Sequence, residues 1–253
     1  VSTDKNIKTD TGGPAYEFSL EELELLSEHS ERERAELEAR IISGELPAYV
    51  LGKKYFFRNY FTVNEACLIP RPDTERVVEA LISELPAGGV FADLCTGTGC
   101  IALSALAERP DARAYICDVS ERALEAAREN AISLNVGDRV EIDRLDVMKS
   151  LPQRIFDVIV SNPPYLCSDE IDDYPSLTAE PRTALDGGGD GLDFYRRFIS
   201  DYTCLLAPQG IFIFEIGFEQ ADAVAQLAKQ YGFSCTVKKD YGGNDRVALL
   251  KRT

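Results

Sequence analysis

Two rhythms of apolar and polar positions run along the chain. Short strand-like runs fall at Val90–Leu94, Ala112–Cys117, Val140–Arg144, Phe156–Ser161 and Ile211–Ile216. Several are continuously apolar, as strands covered on both faces are. Between them the spacing turns helical: Cys100–Leu106, ended near Pro110; a Ser120-capped run through Ala123, Leu124, Ala127, Ala131 and Leu134; Asp193–Leu205; and Gln220–Gln230. The last strands, Phe233–Lys238 and Arg246–Leu250, flank a turn-rich Asp240–Asp245 and predict an antiparallel hairpin at the sheet edge. The alternation predicts an α/β fold with a seven-stranded, doubly wound sheet over residues 70–253.

The amino end follows a different grammar. Residues 1–15 are rich in Thr, Lys, Asp and Gly and read as a disordered tail. Ser19 with Glu22, and Ser30 with Glu33, make two capping boxes, with Phe18 and Leu23 set as a hydrophobic staple across the first. They predict helices over about 20–28 and 31–43, the second stopped by Gly44. Residues 16–47 are thus a small helical module, either a substrate-docking surface or a covering layer. Residues 48–69 are aromatic, with turn signals at Gly52 and Asn59, and predict a linker hairpin of about 54–58 and 60–64. Pro70 and Pro72 then stiffen a lead-in, and Thr74 or Asp73 can cap a helix through Val77, Val78, Leu81 and Ile82. That lead-in is either a wall of a ligand pocket or an interdomain linker.

Charge narrows the partners. Lys+Arg 27 against Asp+Glu 43 gives −16 over 253 residues, which works against loose binding to polyanions. No stable nucleic-acid partner is expected, although a local basic patch remains compatible with one. Seven cysteines without a CxxC pair, and a single histidine, His29, argue against a disulfide framework and against a metal site. With no long apolar run and a polar start, the expectation is a cytoplasmic monomer with no membrane association.

Candidate chemistry gathers where strands end. Val90–Leu94 runs into Cys95-Thr96-Gly97-Thr98-Gly99 and then a helix from Cys100, a strand–turn–helix unit that holds a nucleotide-like ligand. Gly97, Gly99 and Ala102 also satisfy the GxGxxA spacing of dinucleotide enzymes, so the turn alone does not decide the ligand. Asp118, closing the next strand before Val119, is placed to take both ribose hydroxyls. Asp93 discriminates better. A carboxylate there competes with a pyrophosphate but suits a ligand carrying an ammonium and a sulfonium, which favours S-adenosylmethionine over NAD. Asp146 can accept from an adenine amino group, with Val147 against the ring. Phe156–Ser161 exits through Asn162-Pro163-Pro164-Tyr165, where two prolines force the chain out of the sheet. The Asn162 oxygen and the Pro163 carbonyl can each take one N–H of a planar NH2, and Tyr165 can stack on it. Asp93, Gly97, Asp118, Asp146 and Asn162 are expected to converge. The acidic, turn-rich 166–193 reads as a lid or substrate wall. A nucleic-acid amino-group methyltransferase and a non-catalytic cofactor-binding protein remain alternatives.

The motif set resembles the protein-(glutamine-N5) methyltransferases, which modify the glutamine of the Gly-Gly-Gln motif in class 1 peptide chain release factors. The likeness runs from about Ala48 to Arg252. It rests on Leu68 to Glu75, Asp93 to Gly99, Asn162 to Tyr165, Glu180 to Leu185 and Tyr241 to Arg246. The resemblance implies an S-adenosylmethionine site on the glycine turn (Thr96, Gly97, Thr98, Gly99 and Cys100), ribose on Asp118, and the glutamine amide at Asn162. It further implies that Arg71, Pro72 and Thr74 line the cleft, that Glu180 and Pro181 form its outer wall, and that the helical module docks the release factor.

Overall fold

A computed structural model of the protein describes residues 16–173 and 179–253. The expected tail, 1–15, lies outside the described residues. The chain divides into two compact units, one ending at Lys53 and the other running from Lys54 to Thr253.

In the first unit, helices α1 (Leu20–Ser27) and α2 (Glu31–Ile42) start at the two capping boxes, each cap Ser accepting from the N–H three residues on while that Glu returns a carboxylate to the cap N–H. Their buried apolar positions are Leu25, Leu26 and Ile41. A third helix, α3 (Pro47–Leu51), occupies residues expected to lead straight into the hairpin. Pro47 presets the φ of a first turn, and Gly52 ends the helix at φ 69°, in the left-handed region.

The hairpin β1 (Lys53–Phe56) and β2 (Asn59–Thr62) belongs to the second unit from Lys54 onward and is slightly earlier and shorter than the aromatic pattern suggests. It is no mere linker: Phe56 and Phe61 are fully buried in one core cluster with Val77, Val78 and Leu81. The main sheet has the order β5 (Val140–Arg144), β4 (Arg113–Asp118), β3 (Val90–Leu94), β6 (Phe156–Ser161), β7 (Leu206–Glu215), β9 (Asp245–Arg252), β8 (Phe233–Lys239). β9 runs antiparallel to both β7 and β8, and the other pairings in this sheet are parallel. The expected seven-stranded sheet with its terminal hairpin is therefore observed. Strand β7 begins at Leu206 rather than Ile211, because a register shift opposite Phe156–Val158 carries it past Pro208 and Gly210.

One face of the sheet packs on α4 (Glu75–Glu84), α5 (Cys100–Glu108) and α6 (Glu121–Ser133) through Val78, Leu81, Ile101, Leu103 and Ala127. The other packs on α8 (Asp193–Asp201) and α9 (Ala221–Gln230) through Tyr195, Phe198, Ile199, Val224 and Ala228. Burying large apolar side chains on both faces, at about 1.5–3 kcal/mol each, is what makes the central strands read as unbroken apolar runs. Strand order reverses between β3 and β6, so their carboxyl ends border one crevice. The described residues of the 166–193 stretch hold regular elements: α7 (Ser168–Asp173), a 3-10 turn at Arg182–Ala184 and a bridge between Leu166 and Asp186.

Candidate active site

A cavity of about 350 Å³ opens at that reversal. Its floor is the glycine turn. Cys95 at φ 60°, Gly97 at 55° and Gly99 at 78° carry the chain from β3 into α5. A Cβ on Gly97 would meet nothing nearer than Cys67 Cβ at 3.9 Å, so its missing side chain leaves open space in the cavity wall. Gly99 is required for packing instead: a Cβ there would sit 2.8 Å from Leu103.

Asp118 closes β4 with both oxygens tied to backbone, Oδ2 accepting from Gly97 N and Oδ1 from Ser120 N at 2.9 Å each. Each oxygen keeps a lone pair for the cavity. Burial raises its pKa against those backbone bonds. Asp146 accepts from Met148 N at 3.0 Å and from Lys149 Nζ at 2.6 Å, and the ammonium holds its carboxyl below the usual range. Val119, Leu145, Val147 and Met148 give this end an apolar lining. Cys67 and Cys100 also line the cavity, and burial pushes their thiols up to about 11 and about 12, so neither is a thiolate nucleophile near neutrality.

Asp93 lies outside the cavity wall. It is fully buried, with Oδ2 accepting from Thr96 Oγ1 at 2.6 Å and Oδ1 without a partner. Burial pushes its carboxyl up to about 7. The expected convergence thus holds for Gly97, Asp118, Asp146 and Asn162, while Asp93 underlies the turn.

At the β6 exit the Asn162 Nδ2 donates to Thr74 Oγ1 at 3.4 Å, and the Thr74 hydroxyl donates to Glu215 Oε2 at 2.6 Å. The amide nitrogen is thereby turned onto protein, leaving the oxygen as the acceptor on a cavity-lining residue. Two glycines fix the backbone that follows. A Cβ on Gly187 would lie 2.7 Å from Tyr165 Cα, and one on Gly191, at φ 71°, would lie 2.3 Å from the Tyr165 carbonyl oxygen. Gln220 Nε2 donates to that same oxygen at 2.9 Å.

Arg71, Thr74, Thr96, Thr98, Cys100, Val119, Val147 and Pro164 complete the expected residues found in the wall. Gly99, Pro72, Pro163, Tyr165, Glu180 and Pro181 are outside it. For Tyr165 this corrects the expected stacking role: its hydroxyl donates to Glu215 Oε1 at 3.4 Å and its ring packs against the second core cluster. Glu180 acts from behind, its buried carboxylate pairing with Arg71 and accepting from Ile69 N at 3.0 Å. Among the described residues no His, Cys, Asp and Glu side chains group to hold a metal ion.

Residues 73–192 match the family described as methyltransferase small domain. A release factor glutamine methyltransferase of Caulobacter vibrioides is 38% identical over 241 residues, covering 93% of this chain and 81% of that protein. The chain belongs to the release factor glutamine methyltransferases. A second member, from Neisseria gonorrhoeae, is 41% identical over 225 residues, 87% of this chain and 82% of its own. Among solved structures, a methyltransferase from Pyrococcus furiosus superimposes with a TM-score of 0.59 at 20% identity, covering 86% of this chain and 98% of that one. The ribosomal protein L11 methylase of Lactobacillus delbrueckii subsp. bulgaricus gives 0.53 at 19%, covering 76% and 84%. At such identities the superpositions establish the fold.

Sequence reasoning missed several residues that this release factor glutamine methyltransferase places at the cavity. Thr183, Ala184, Asp186 and Phe194 enter its wall from the 166–193 stretch and α8. Glu215 lies behind Asn162 and carried a signal: it is a carboxylate ending a continuous apolar strand, the same signal that singled out Asp93.

Proposed function

We propose that this enzyme transfers a methyl group from S-adenosylmethionine to the side-chain amide nitrogen, N5, of the glutamine in the Gly-Gly-Gln motif of a class 1 peptide chain release factor, acting as a monomer in the cytoplasm. The observation that carries the reading is the Asn162 side chain, whose nitrogen is committed to Thr74. An oxygen is thus presented where a planar NH2 needs an acceptor.

The donor set suits the cofactor. Gly97 leaves room for close approach to the backbone, Asp118 has lone pairs for two hydroxyls, and Asp93, buried beneath the glycine turn with one oxygen unpartnered, adds negative charge under the site for an ammonium when ionised. When bound, S-adenosylmethionine supplies an electrophilic methyl group on a sulfonium sulfur.

An amide nitrogen is a weak nucleophile because its lone pair is delocalised. Asn162 Oδ1, in the cavity wall, overcomes this by position, taking one N–H, and the carbonyl of the adjoining Pro163, just outside that wall, is the second acceptor for the other N–H, so that the lone pair is directed at the methyl group. Both oxygens also offset the positive charge that grows on nitrogen, and the proton leaves to solvent after transfer. The Arg71–Glu180 pair ties the cavity-lining Arg71 to a buried carboxylate behind the wall and so holds the Pro70–Pro72 lead-in in place.

Incubation with methyl-labelled S-adenosylmethionine tests this assignment against its nucleic-acid rival. Label should enter the release factor, within the peptide carrying Gly-Gly-Gln. Label in RNA or DNA, with none in the release factor, would refute it.

A further inference from the structure

Glu215 ends β7 beside the crevice and is fully buried, yet it is remote from the expected motif residues in sequence. Its neighbours form a directed chain. Thr74 Oγ1 donates to Glu215 Oε2 at 2.6 Å, Asn162 Nδ2 donates to Thr74 Oγ1 at 3.4 Å, and the Tyr165 hydroxyl donates to Glu215 Oε1 at 3.4 Å. The Glu215 carbonyl is held by the Tyr195 hydroxyl at 2.8 Å, which fixes the strand end.

Hydrogen-bond inventory makes this chain one-way. A carboxylate only accepts, so the single Thr74 hydrogen must go to Glu215. Thr74 then shows Asn162 lone pairs alone. The Asn162 amide must turn its NH2 toward Thr74, and its oxygen faces the cavity. Were Glu215 uncharged, it could donate to Thr74, Thr74 could donate to Asn162 Oδ1, and the amide would flip. The cavity would then meet a donor, which repels an incoming NH2 instead of gripping it.

We infer that Glu215 is a positioning residue for methyl transfer: acting through Thr74, its carboxylate sets which end of the Asn162 amide faces the substrate. The inference rests on the amide-nitrogen acceptor proposed above. It makes the site sensitive to pH. Burial pushes the Glu215 carboxyl up to about 7, against the Thr74 and Tyr165 hydroxyls and the Arg246 guanidinium, with Asp73 adding to the rise. Cys100 and Tyr195 also interact with it, and both are held protonated by burial. Below about pH 7 the chain therefore loses its direction.

Glu215→Gln keeps the shape and removes the enforced direction, because a carboxamide both donates and accepts. At saturating cofactor and pH 8, kcat on the release factor should fall roughly ten- to hundred-fold, the usual difference between a charged and a neutral hydrogen-bond partner. Adenosylhomocysteine affinity should stay within about two-fold of wild type, since the residue acts on the acceptor side. The acid limb of kcat near pH 7 should vanish in the variant. Thr74→Val should reproduce the loss, Thr74→Ser should exceed Thr74→Val by about ten-fold, and Glu215→Gln on Thr74→Val should add less than about two-fold. Multiplicative losses in the double variant, an unchanged kcat, a retained acid limb or lost adenosylhomocysteine binding would each overturn the inference. An active wild type with an indifferent Glu215→Gln sinks this inference alone, whereas a wild type that labels no release factor sinks the proposed function with it.

Discussion

Replacing Asp93 by Asn removes one charge and nearly preserves the shape of the side chain. In the ligand-free enzyme that charge is costly. Burial lifts the Asp93 carboxyl to about 7, against the Thr96 hydroxyl and the Ala102 N–H, and one oxygen has no partner. A rise of that size corresponds to about 4 kcal/mol of folding free energy lost once the group is ionised. The sign follows from the raised value. The contribution is present in full below the unfolded aspartate value of about 4 and disappears as pH rises through 7. Asn escapes that loss but brings an NH2 with no acceptor, at about 1–3 kcal/mol. At pH 8 the ligand-free variant should be more stable by about 2 kcal/mol, roughly 4–8 °C in Tm for a protein of this size. At pH 5, where wild-type Asp93 is already neutral, the gain should vanish or reverse. Glu215 titrates over the same range but is common to both proteins, so it cancels in the difference. Binding should move the other way. Asp93 acts on the ligand's ammonium through the turn and not by contact, so losing its charge costs about 1–3 kcal/mol, roughly ten- to hundred-fold in Kd for adenosylhomocysteine at pH 8. Scanning calorimetry at both pH values, with titration calorimetry at pH 8, reads all of these quantities. An equal Tm change at the two pH values, or an unchanged Kd, would refute the reasoning.

Two further substitutions probe the frame around the acceptor. Gly191→Ala forces a Cβ to 2.3 Å from the Tyr165 carbonyl at a left-handed φ of 71°, so the Asn162–Tyr165 exit must shift. It should lower kcat by more than about ten-fold while adenosylhomocysteine affinity holds, and a wild-type kcat would show that the exit tolerates displacement. Glu180→Ala strips Ile69 N–H and Arg71 of their shared acceptor, costing about 1–3 kcal/mol of stability. It should raise KM for the release factor and leave Kd for adenosylhomocysteine within a few-fold; thermal unfolding and steady-state kinetics read both, and an unchanged KM would show that Glu180 does not position Arg71 for the substrate.

The sheet was largely legible in the sequence because its central strands are covered on both faces, and Phe156–Ser161 has no other reason to be so apolar. The capping boxes marked α1 and α2 through local chemistry alone. Other elements were ambiguous for physical reasons. Pro47 and Gly52 are turn residues by composition, yet here they open and close α3. Pro208 and Gly210 hid the first part of β7, which only a register shift lets into the sheet. In the site, the Asn162 exit could be recognised because consecutive prolines dictate its geometry. What Arg71 and Glu180 touch could not: the pair spans 109 positions, and each was expected to face the cleft independently. Tyr165 reads as an exposed stacking ring until its hydroxyl is seen to reach Glu215. Sequence exposes residue types at strand ends, while the direction of hydrogen bonds among them emerges only from the fold.

The central claim is that a carboxamide oxygen at position 162 accepts the glutamine NH2 during transfer. Single-turnover methylation of a release factor by wild type and Asn162→Ala, with the modified residue located by tandem mass spectrometry, tests it most directly. The account predicts one added methyl group on the Gly-Gly-Gln glutamine, a rate roughly 10²–10³-fold lower in the variant, and equal adenosylhomocysteine binding by both proteins. Methylation at another residue, or a variant as fast as wild type, would contradict it.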